Sequence, residues 1–223
     1  MFEPLQMDVF SERTGITHDD LFRRWSPVVS VVSLRQLKDV ESVHAMPLEY
    51  LRQLLGRVCL SGNEEVRVYE GCSFSVAHVD PRTVRVGQTF VERQKYQALV
   101  EEFRGIFGKF CVAEGISRMS PMLILGRDIL GNVALAHYVP PIVEMNGETK
   151  GNLLDGLHRH FIARSVGTTL ESVIVEHARA PFPCDMHDWG DISVVSEKPK
   201  KEERFFNLRP DLFRDVKYVG IDG

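Results

Sequence analysis

The sequence has no long apolar run of the kind that marks a membrane protein. Nowhere do about 18 consecutive apolar residues occur, so no stretch predicts a membrane-spanning helix. Residues 1–10 include the acidic Glu3 and Asp8 and no continuous apolar core, so they do not look like a secretory signal. These absences predict a soluble, cytoplasmic protein without a membrane partner.

Cysteine is scarce, and its spacing favours reduced thiols over a disulfide framework. Cys59, Cys72, Cys111 and Cys184 are widely separated, and no two of them form a CxxC pair. Such spacing is typical of reduced, buried thiols in an intracellular protein. Residues 184–188 contain several metal-binding residue types but lack the second, separated ligand pair of a closed zinc site. We therefore predict no protein-held metal centre.

Positive charge is not in excess. The chain has 27 Lys and Arg against 31 Asp and Glu, which gives a formal net charge of −4. Proteins that hold nucleic acid through its phosphates usually carry a basic stripe or patch, and this sequence has no long one. A nucleic-acid partner is therefore not expected.

The sequence nevertheless has enough apolar residues for one globular core with extensions. Of its 223 residues, 43% are hydrophobic. Thr17 has the features of a cap for a short helix that ends at Trp25, and Pro47 begins a second segment with apolar residues at helical spacing up to Val58. These patterns predict a helical N-terminal extension over residues 1–70.

Strand and helix patterns alternate in the middle of the chain, which predicts a mixed α+β fold. Apolar residues at helical spacing between Tyr96 and Phe107 predict a helix. Several prolines and a mixed-charge run predict an irregular C-terminal arm over residues 181–223. Alternating or short apolar runs predict strands at 66–69, 74–79, 122–125, 133–138, 142–145 and 173–175.

Residues 153–167 have the pattern of a strand, a tight turn and a helix. Two leucines precede Asp155 and Gly156, and apolar residues then follow at helical spacing up to Gly167, a helix-ending residue. Gly156 would allow a sharp turn and a close approach to a ligand. The unpaired N–H groups at a helix N-terminus favour an anion, so the pattern predicts a phosphate site.

Three basic residues, His158, Arg159 and His160, follow this turn. A guanidinium can grip phosphate oxygens, and imidazoles can donate further hydrogen bonds. Cations at a helix N-terminus are disfavoured by the helix dipole unless an anion compensates them, which strengthens the phosphate interpretation. The alternative is an ordinary helix start with Asp155 as N-cap and Arg159 solvated or paired to a carboxylate.

The turn Asp155-Gly156-Leu157-His158-Arg159 resembles the signature of the ParB N-terminal/sulfiredoxin superfamily. Residues 84–103 resemble a second recurrent block of that family, and the likeness extends over residues 74–178. It implies a ParB/sulfiredoxin-like nucleotide-binding domain over residues 71–180. Members similar in these blocks bind ATP, ADP or CTP with the turn against the phosphates, which implies one of these nucleotides and Mg²⁺ as cofactors.

The resemblance also implies roles for single residues. Lys95 falls where the sulfiredoxin branch has a nucleotide-contacting lysine, and Leu157 replaces the nucleophilic cysteine of that branch. Because the thiol is missing, sulfinic acid reduction is not expected. The residues predicted to contact the nucleotide are Lys95, Gly156, Leu157, His158, Arg159 and His160.

Glu92 is the predicted catalytic carboxylate, since the serine kinase branch of the family uses a glutamate in this region as a base. Such a carboxylate would deprotonate a hydroxyl acceptor, and either Glu92 or Asp155 would bind Mg²⁺ together with the phosphates. The alternative is structural, because Thr89 to Glu92 has the spacing of a capping box. Asp155 is the second predicted catalytic residue.

These features together predict a nucleotide-dependent phosphotransferase or phosphohydrolase that acts on a small hydroxyl-bearing substrate. The alternative is a non-catalytic nucleotide switch or DNA-partition-type binding protein. That class would need a DNA-reading domain, which residues 181–223 do not resemble. The sequence leaves open the acceptor, the choice among nucleotides and the oligomeric state.

Overall fold

The computed structural model describes residues 2–17, 27–95, 97, 118–145, 147 and 150–222. The fold is mixed α+β, as predicted. The segment after Thr17 that was predicted as a helix lies outside the described residues, as does the helix predicted between residues 96 and 107, apart from Gln97. The structure therefore does not bear on these two helices.

The framework of the described residues includes three helices and fifteen strands with described bounds, and residues 93–95 are also helical. The helices are α1 (Met7–Thr14), α2 (Leu48–Leu55) and α3 (Leu157–Val166). The strands are β1 (Leu5–Gln6), β2 (Ser30–Val31), β3 (Asp39–Ala45), β4 (Cys59–Leu60), β5 (Asn63–Arg67), β6 (Ser73–Val79), β7 (Val84–Val86), β8 (Phe90–Glu92), β9 (Met122–Arg127), β10 (Val133–Tyr138), β11 (Ile142–Met145), β12 (Gly151–Leu153), β13 (Leu170–Glu176), β14 (Ser193–Val195) and β15 (Arg214–Asp215).

The chain divides into two compact units whose boundaries differ from the predicted ones. Unit 1 comprises Met1–Gly71, Pro121–Val139 and Arg214–Gly223, and unit 2 comprises Cys72–Ser120 and Pro140–Phe213. The description of residues 1–70 as a helical extension is wrong, because this segment contributes strands β1 to β5 as well as two helices. The pairing of these strands with distant segments is invisible to local sequence patterns.

Unit 1 is built on a five-stranded sheet in the order β1-β2-β10-β9-β3. The strands predicted at 122–125 and 133–138 are confirmed as β9 and β10, which pair antiparallel, and β2 runs parallel to β10. A smaller sheet has the order β15-β4-β5. The predicted helix after Pro47 is confirmed as α2, whose buried face includes Leu51, Leu54 and Leu55.

Unit 2 is built on a second five-stranded sheet in the order β6-β13-β11-β12-β7. The strands predicted at 74–79, 142–145 and 173–175 are confirmed as β6, β11 and β13. The strand predicted at 66–69 is displaced, because β5 ends at Arg67 and pairs with β4 in unit 1. One face of the sheet packs on α3 through a core that includes Val84, Val143, Leu153 and Leu157.

The predicted irregular C-terminal arm is largely an integral part of unit 2. Strand β14 pairs parallel with β8, and the buried indole of Trp189 donates a 2.7 Å hydrogen bond to the carbonyl of Pro81. Cys184 is also buried, in contact with Gly87, where a Cβ atom would lie 2.1 Å from the Cys184 Sγ. Local sequence patterns gave no indication of these contacts, because their partners lie about a hundred residues away.

Within the described residues, no helix has both the length and the apolar character needed to cross a membrane.

Candidate functional site

The predicted strand, turn and helix at residues 153–167 are present in the structure. Strand β12 ends at Leu153, and α3 runs from Leu157 to Val166. Gly156 is the N-cap residue of α3, with φ 88° and ψ 25°, and Gly167 ends the helix in the same left-handed region. The N–H of Leu154 donates to the carbonyl of Ile142 at 2.9 Å, which fixes the start of the turn on β11.

Gly156 is required for two independent reasons. Its positive φ angle is one that side chains other than glycine rarely adopt. A Cβ atom at this position would also lie 2.6 Å from the Cβ and Cγ atoms of Pro141, closer than real carbon atoms approach. The backbone of the turn is therefore pressed against Pro141 in a way that only glycine permits.

The N-terminus of α3 presents unpaired backbone donors. The N–H groups of Gly156, Leu157 and His158 have no hydrogen-bond acceptor among the residues that the structure describes. The N–H of His160 is the first to be satisfied within the helix, by the Gly156 carbonyl at 3.0 Å. Unpaired N–H groups together with the positive end of the helix dipole suit an anion.

Asp155 and Arg159 form an ion pair with each other. The Arg159 Nη2 atom lies 2.9 Å from Asp155 Oδ2, and the two side chains are only 13% and 20% exposed. The interpretation of Asp155 as the N-cap is wrong, because Gly156 occupies that position and α3 receives no side-chain cap. The carboxylate instead neutralises the guanidinium one helical turn later.

His158 connects the turn to β8. Its Nε2 atom accepts a 3.2 Å hydrogen bond from the backbone N–H of Glu92, which requires a neutral ring with its proton on Nδ1. Burial, followed by the positive charges of Lys95 and Lys198, lowers the pKa of His158 to about 4. The structure therefore brings Glu92, Lys95 and His158, three predicted site residues, into one neighbourhood.

Lys198 belongs to this neighbourhood but was missed by the sequence reasoning. Like Lys95, it lowers the pKa of the His158 ring through its positive charge. The sequence offered only a weak signal for it, a mixed-charge run from Glu197 to Arg204 that has the composition of a solvated surface. Its placement depends on β14, which carries the chain back alongside β8 shortly before this run.

His160 is completely buried and has no hydrogen-bond partner. Neither ring nitrogen bonds to any of the described residues. Burial, and to a smaller extent the charge of Arg159, lowers the pKa of His160 to about 3, although the nearby Gly156 carbonyl acts in the opposite direction. The imidazole is therefore neutral at physiological pH.

These protonation states overturn one argument for an anion at the turn. The sequence places three basic residues in the first turn of α3, but His158 and His160 are neutral and Arg159 is paired with Asp155. No crowding of unpaired cations remains that an anion would have to relieve. The case for an anion site instead depends on the backbone N–H groups and on Lys95 and Lys198.

Glu92 is the last residue of β8 and is not part of a capping box. The Thr89 hydroxyl donates to the carbonyl of Glu203, and Thr89 precedes a strand instead of a helix. The capping interpretation is therefore wrong. The half-buried Glu92 carboxylate makes no hydrogen bond or ion pair with the described residues. It is the carboxylate near His158 that is available for chemistry, whereas Asp155 is engaged by Arg159.

A small, mostly apolar cavity adjoins the turn. Its volume is about 20 Å³, which accommodates a water molecule but not a nucleotide. A nucleotide would therefore have to bind outside this cavity. The lining residues are Gly87, Gln88, Leu153, Leu154, Leu157, Phe182, Pro183, Cys184, Phe205 and Phe213.

The described residues contain no group of three or more His, Cys, Asp and Glu side chains that could hold a metal ion. A nucleotide-bound Mg²⁺ requires fewer protein ligands, and the Glu92 carboxylate fits that need. No family model, curated protein or solved structure matches this chain, so the membership in the ParB/sulfiredoxin superfamily stays a prediction.

Proposed function

We propose that unit 2 binds the phosphates of a nucleotide, ATP, ADP or CTP, at the N-terminus of α3 and transfers or hydrolyses a phosphoryl group. The proposal is supported by the N–H groups of Gly156, Leu157 and His158, which have no acceptor among the described residues, and by the nearby charges of Lys95 and Lys198. Backbone donors give short, directed bonds to phosphate oxygens, and lysines attract the anion.

The Asp155–Arg159 pair has a supporting role in this proposal. A largely buried ion pair holds the guanidinium in a fixed position beside the turn. Because Asp155 already neutralises Arg159, this guanidinium adds less to the affinity for a phosphate than an unpaired one would. Lys95 is therefore expected to contribute more to the electrostatic attraction of a phosphate than Arg159 does.

Glu92 is the proposed base for the hydroxyl acceptor. The hydrogen bond from its own N–H to His158 fixes the end of β8 beside the proposed phosphate site, and its carboxylate is not engaged by other described groups. A carboxylate in this position would accept the hydroxyl proton as the oxygen attacks phosphorus. Mg²⁺ bound with the phosphates would neutralise the charge that develops during transfer.

The experiment is a calorimetric titration with ATP, ADP and CTP in the presence of Mg²⁺, followed by turnover assays with hydroxyl acceptors such as serine. Lys95→Gln should weaken nucleotide binding about tenfold, the effect of one charge-assisted contact. Lys150→Gln is the matched control, because Lys150 is an exposed lysine of unit 2 already paired with Asp188 at 2.7 Å. Equal affinities in both variants would contradict the proposed phosphate site.

Glu92→Gln separates catalysis from binding in the same experiment. Turnover should fall by about 10²- to 10⁴-fold, because the amide cannot accept a proton, while nucleotide affinity stays near that of the parent. Full turnover in Glu92→Gln would reject Glu92 as the base. Tight nucleotide binding without turnover in the parent protein would instead favour the alternative function, a non-catalytic nucleotide switch.

A further inference from the structure

Unit 1 contains two arginines placed on one tyrosine ring. The Cζ atoms of Arg13 and Arg67 lie 4.5 and 4.8 Å from the centroid of the Tyr218 ring. Their guanidinium carbons are therefore separated by no more than about 9.3 Å, the sum of these two distances. Like charges at this separation repel each other, and the π face of the ring compensates only in part.

Hydrogen bonds fix both guanidinium groups in this arrangement. Arg13 Nη1 donates to the carbonyl of Tyr218 at 3.4 Å. Arg67 Nη1 donates to the carbonyl of Arg57 at 2.9 Å, and its Nη2 atom donates to the Tyr218 hydroxyl at 3.3 Å. Every acceptor is neutral, and most N–H donors of the two forks have no acceptor among the described residues. The Tyr218 ring itself is buried, so a ligand would meet the guanidinium groups and not the ring.

In the part of the chain that the structure describes, no carboxylate forms an ion pair with these arginines. Among the described residues, Arg13, Arg57 and Arg67 form no ion pair. By contrast, Arg127 of the same unit lies 2.8 Å from the Glu41 carboxylate. The Asp215 carboxylate, in the same segment as Tyr218, accepts a 3.1 Å hydrogen bond from the N–H of Tyr218. Two arginines without an ion pair to a described residue stand out in a chain whose formal net charge is −4.

We infer that Arg13 and Arg67 form an anion site in unit 1 for a small phosphate-bearing ligand. Guanidinium forks match phosphate oxygens in pairs, and two forks held on one ring can bind the same phosphate or neighbouring phosphates. If the arginines only stabilised the segment around Tyr218, one cation on the ring would be sufficient. The second cation adds repulsion that an anion would remove.

The test uses inorganic pyrophosphate as the probe and the full-length protein. Pyrophosphate should shift the ring resonances of Tyr218 in protein labelled with ¹³C-tyrosine, with Tyr218→Phe serving to assign them. Arg13→Gln should weaken this local binding about tenfold, and Arg67→Lys should weaken it as well, because lysine keeps the charge but loses the fork. Arg127→Gln is the matched control and should change the affinity less than twofold.

A second variant distinguishes pyrophosphate binding at this site from binding at the turn in unit 2. Lys95→Gln should leave the Tyr218 titration unchanged, even if pyrophosphate also binds at α3. Thermal melting of each variant establishes that it is folded. The inference is overturned if Tyr218 does not respond to pyrophosphate in the parent protein, or if Arg13→Gln and Arg127→Gln bind it equally well.

Discussion

Two buried histidines, one in each unit, have opposite surroundings. In unit 1, His137 Nε2 accepts a 2.6 Å hydrogen bond from the Tyr50 hydroxyl, and its Nδ1 atom donates to the Gly220 carbonyl at 3.0 Å. In unit 2, neither nitrogen of His160 bonds to a described residue. Burial lowers the pKa of both rings, that of His137 to about 4 and that of His160 to about 3.

The difference separates a structural histidine from one whose presence lowers stability. A buried polar group that loses its partner costs about 1–3 kcal/mol, whereas one that is fully bonded contributes to the fold. His137 joins α2, β10 and the C-terminal segment in a satisfied network. His160 lies beside the Gly156 carbonyl in the helix that carries the proposed phosphate site. Buried polar groups without partners are concentrated at functional sites.

Replacing each histidine by leucine should give the largest contrast. His137→Leu leaves the Tyr50 hydroxyl and the Gly220 carbonyl buried without partners, and we expect a loss of about 4 kcal/mol. His160→Leu removes an unpaired polar group at similar volume, and its cost should stay within about 1 kcal/mol or become a gain. Urea unfolding, monitored by amide hydrogen exchange in each unit, measures the loss of stability in both variants. Similar losses in the two variants would show that His160 has a partner.

Acidification should lower the free energy of unfolding through both histidines. The unfolded chain protonates histidine near pH 6.5, whereas folded His137 does so near pH 4, so between these values the unfolded state binds more protons. The protein is therefore most stable above pH 6.5 and loses stability as the pH falls to about 4. For His137 this loss amounts to about 3 kcal/mol. The free energy of unfolding, measured against pH, should fall less steeply in His160→Leu. An unchanged slope would mean that folded His160 titrates normally.

The two glycines that flank α3, the helix of His160, are expected to differ in how well they tolerate a side chain. Gly156 and Gly167 both have positive φ angles, but only Gly156 is pressed against Pro141, while a Cβ at Gly167 meets nothing within 4 Å. Gly156→Ala should therefore cost about 2 kcal/mol more than Gly167→Ala, which carries only the backbone strain. Thermal and urea unfolding provide the measurement. Equal losses would show that Pro141 moves aside without cost.

The sequence predicted those elements whose signal is local. Residues 133–138 and 142–145 have apolar patterns that coincide with β10 and β11, and the glycines at 156 and 167 correctly mark both ends of α3. Glu92 was correctly associated with the turn only through the family resemblance, whereas the local spacing from Thr89 wrongly suggested a helix cap.

Properties that depend on distant neighbours could not be predicted. The charge of a histidine depends on its burial. The sequence alone therefore predicts His158 and His160 as donors to an anion, whereas burial keeps both rings neutral. Lys198 was missed because strand pairing, and not sequence spacing, carries it towards His158. The domain boundaries failed for the same reason, since β2 pairs with β10 across about a hundred residues.

The three-segment composition of unit 1 sets an order of events during synthesis. Arg214 lies in β15, which pairs with β4, and the His137 ring bonds to Gly220 near the end of the chain. Unit 2 uses only residues 72–120 and 140–213, so its chain emerges from the ribosome before these last contacts of unit 1 can form. Translation adds about 5–20 residues per second. The segment before residue 72 therefore remains incompletely covered, and open to chaperones, until residues 214–223 have been synthesised.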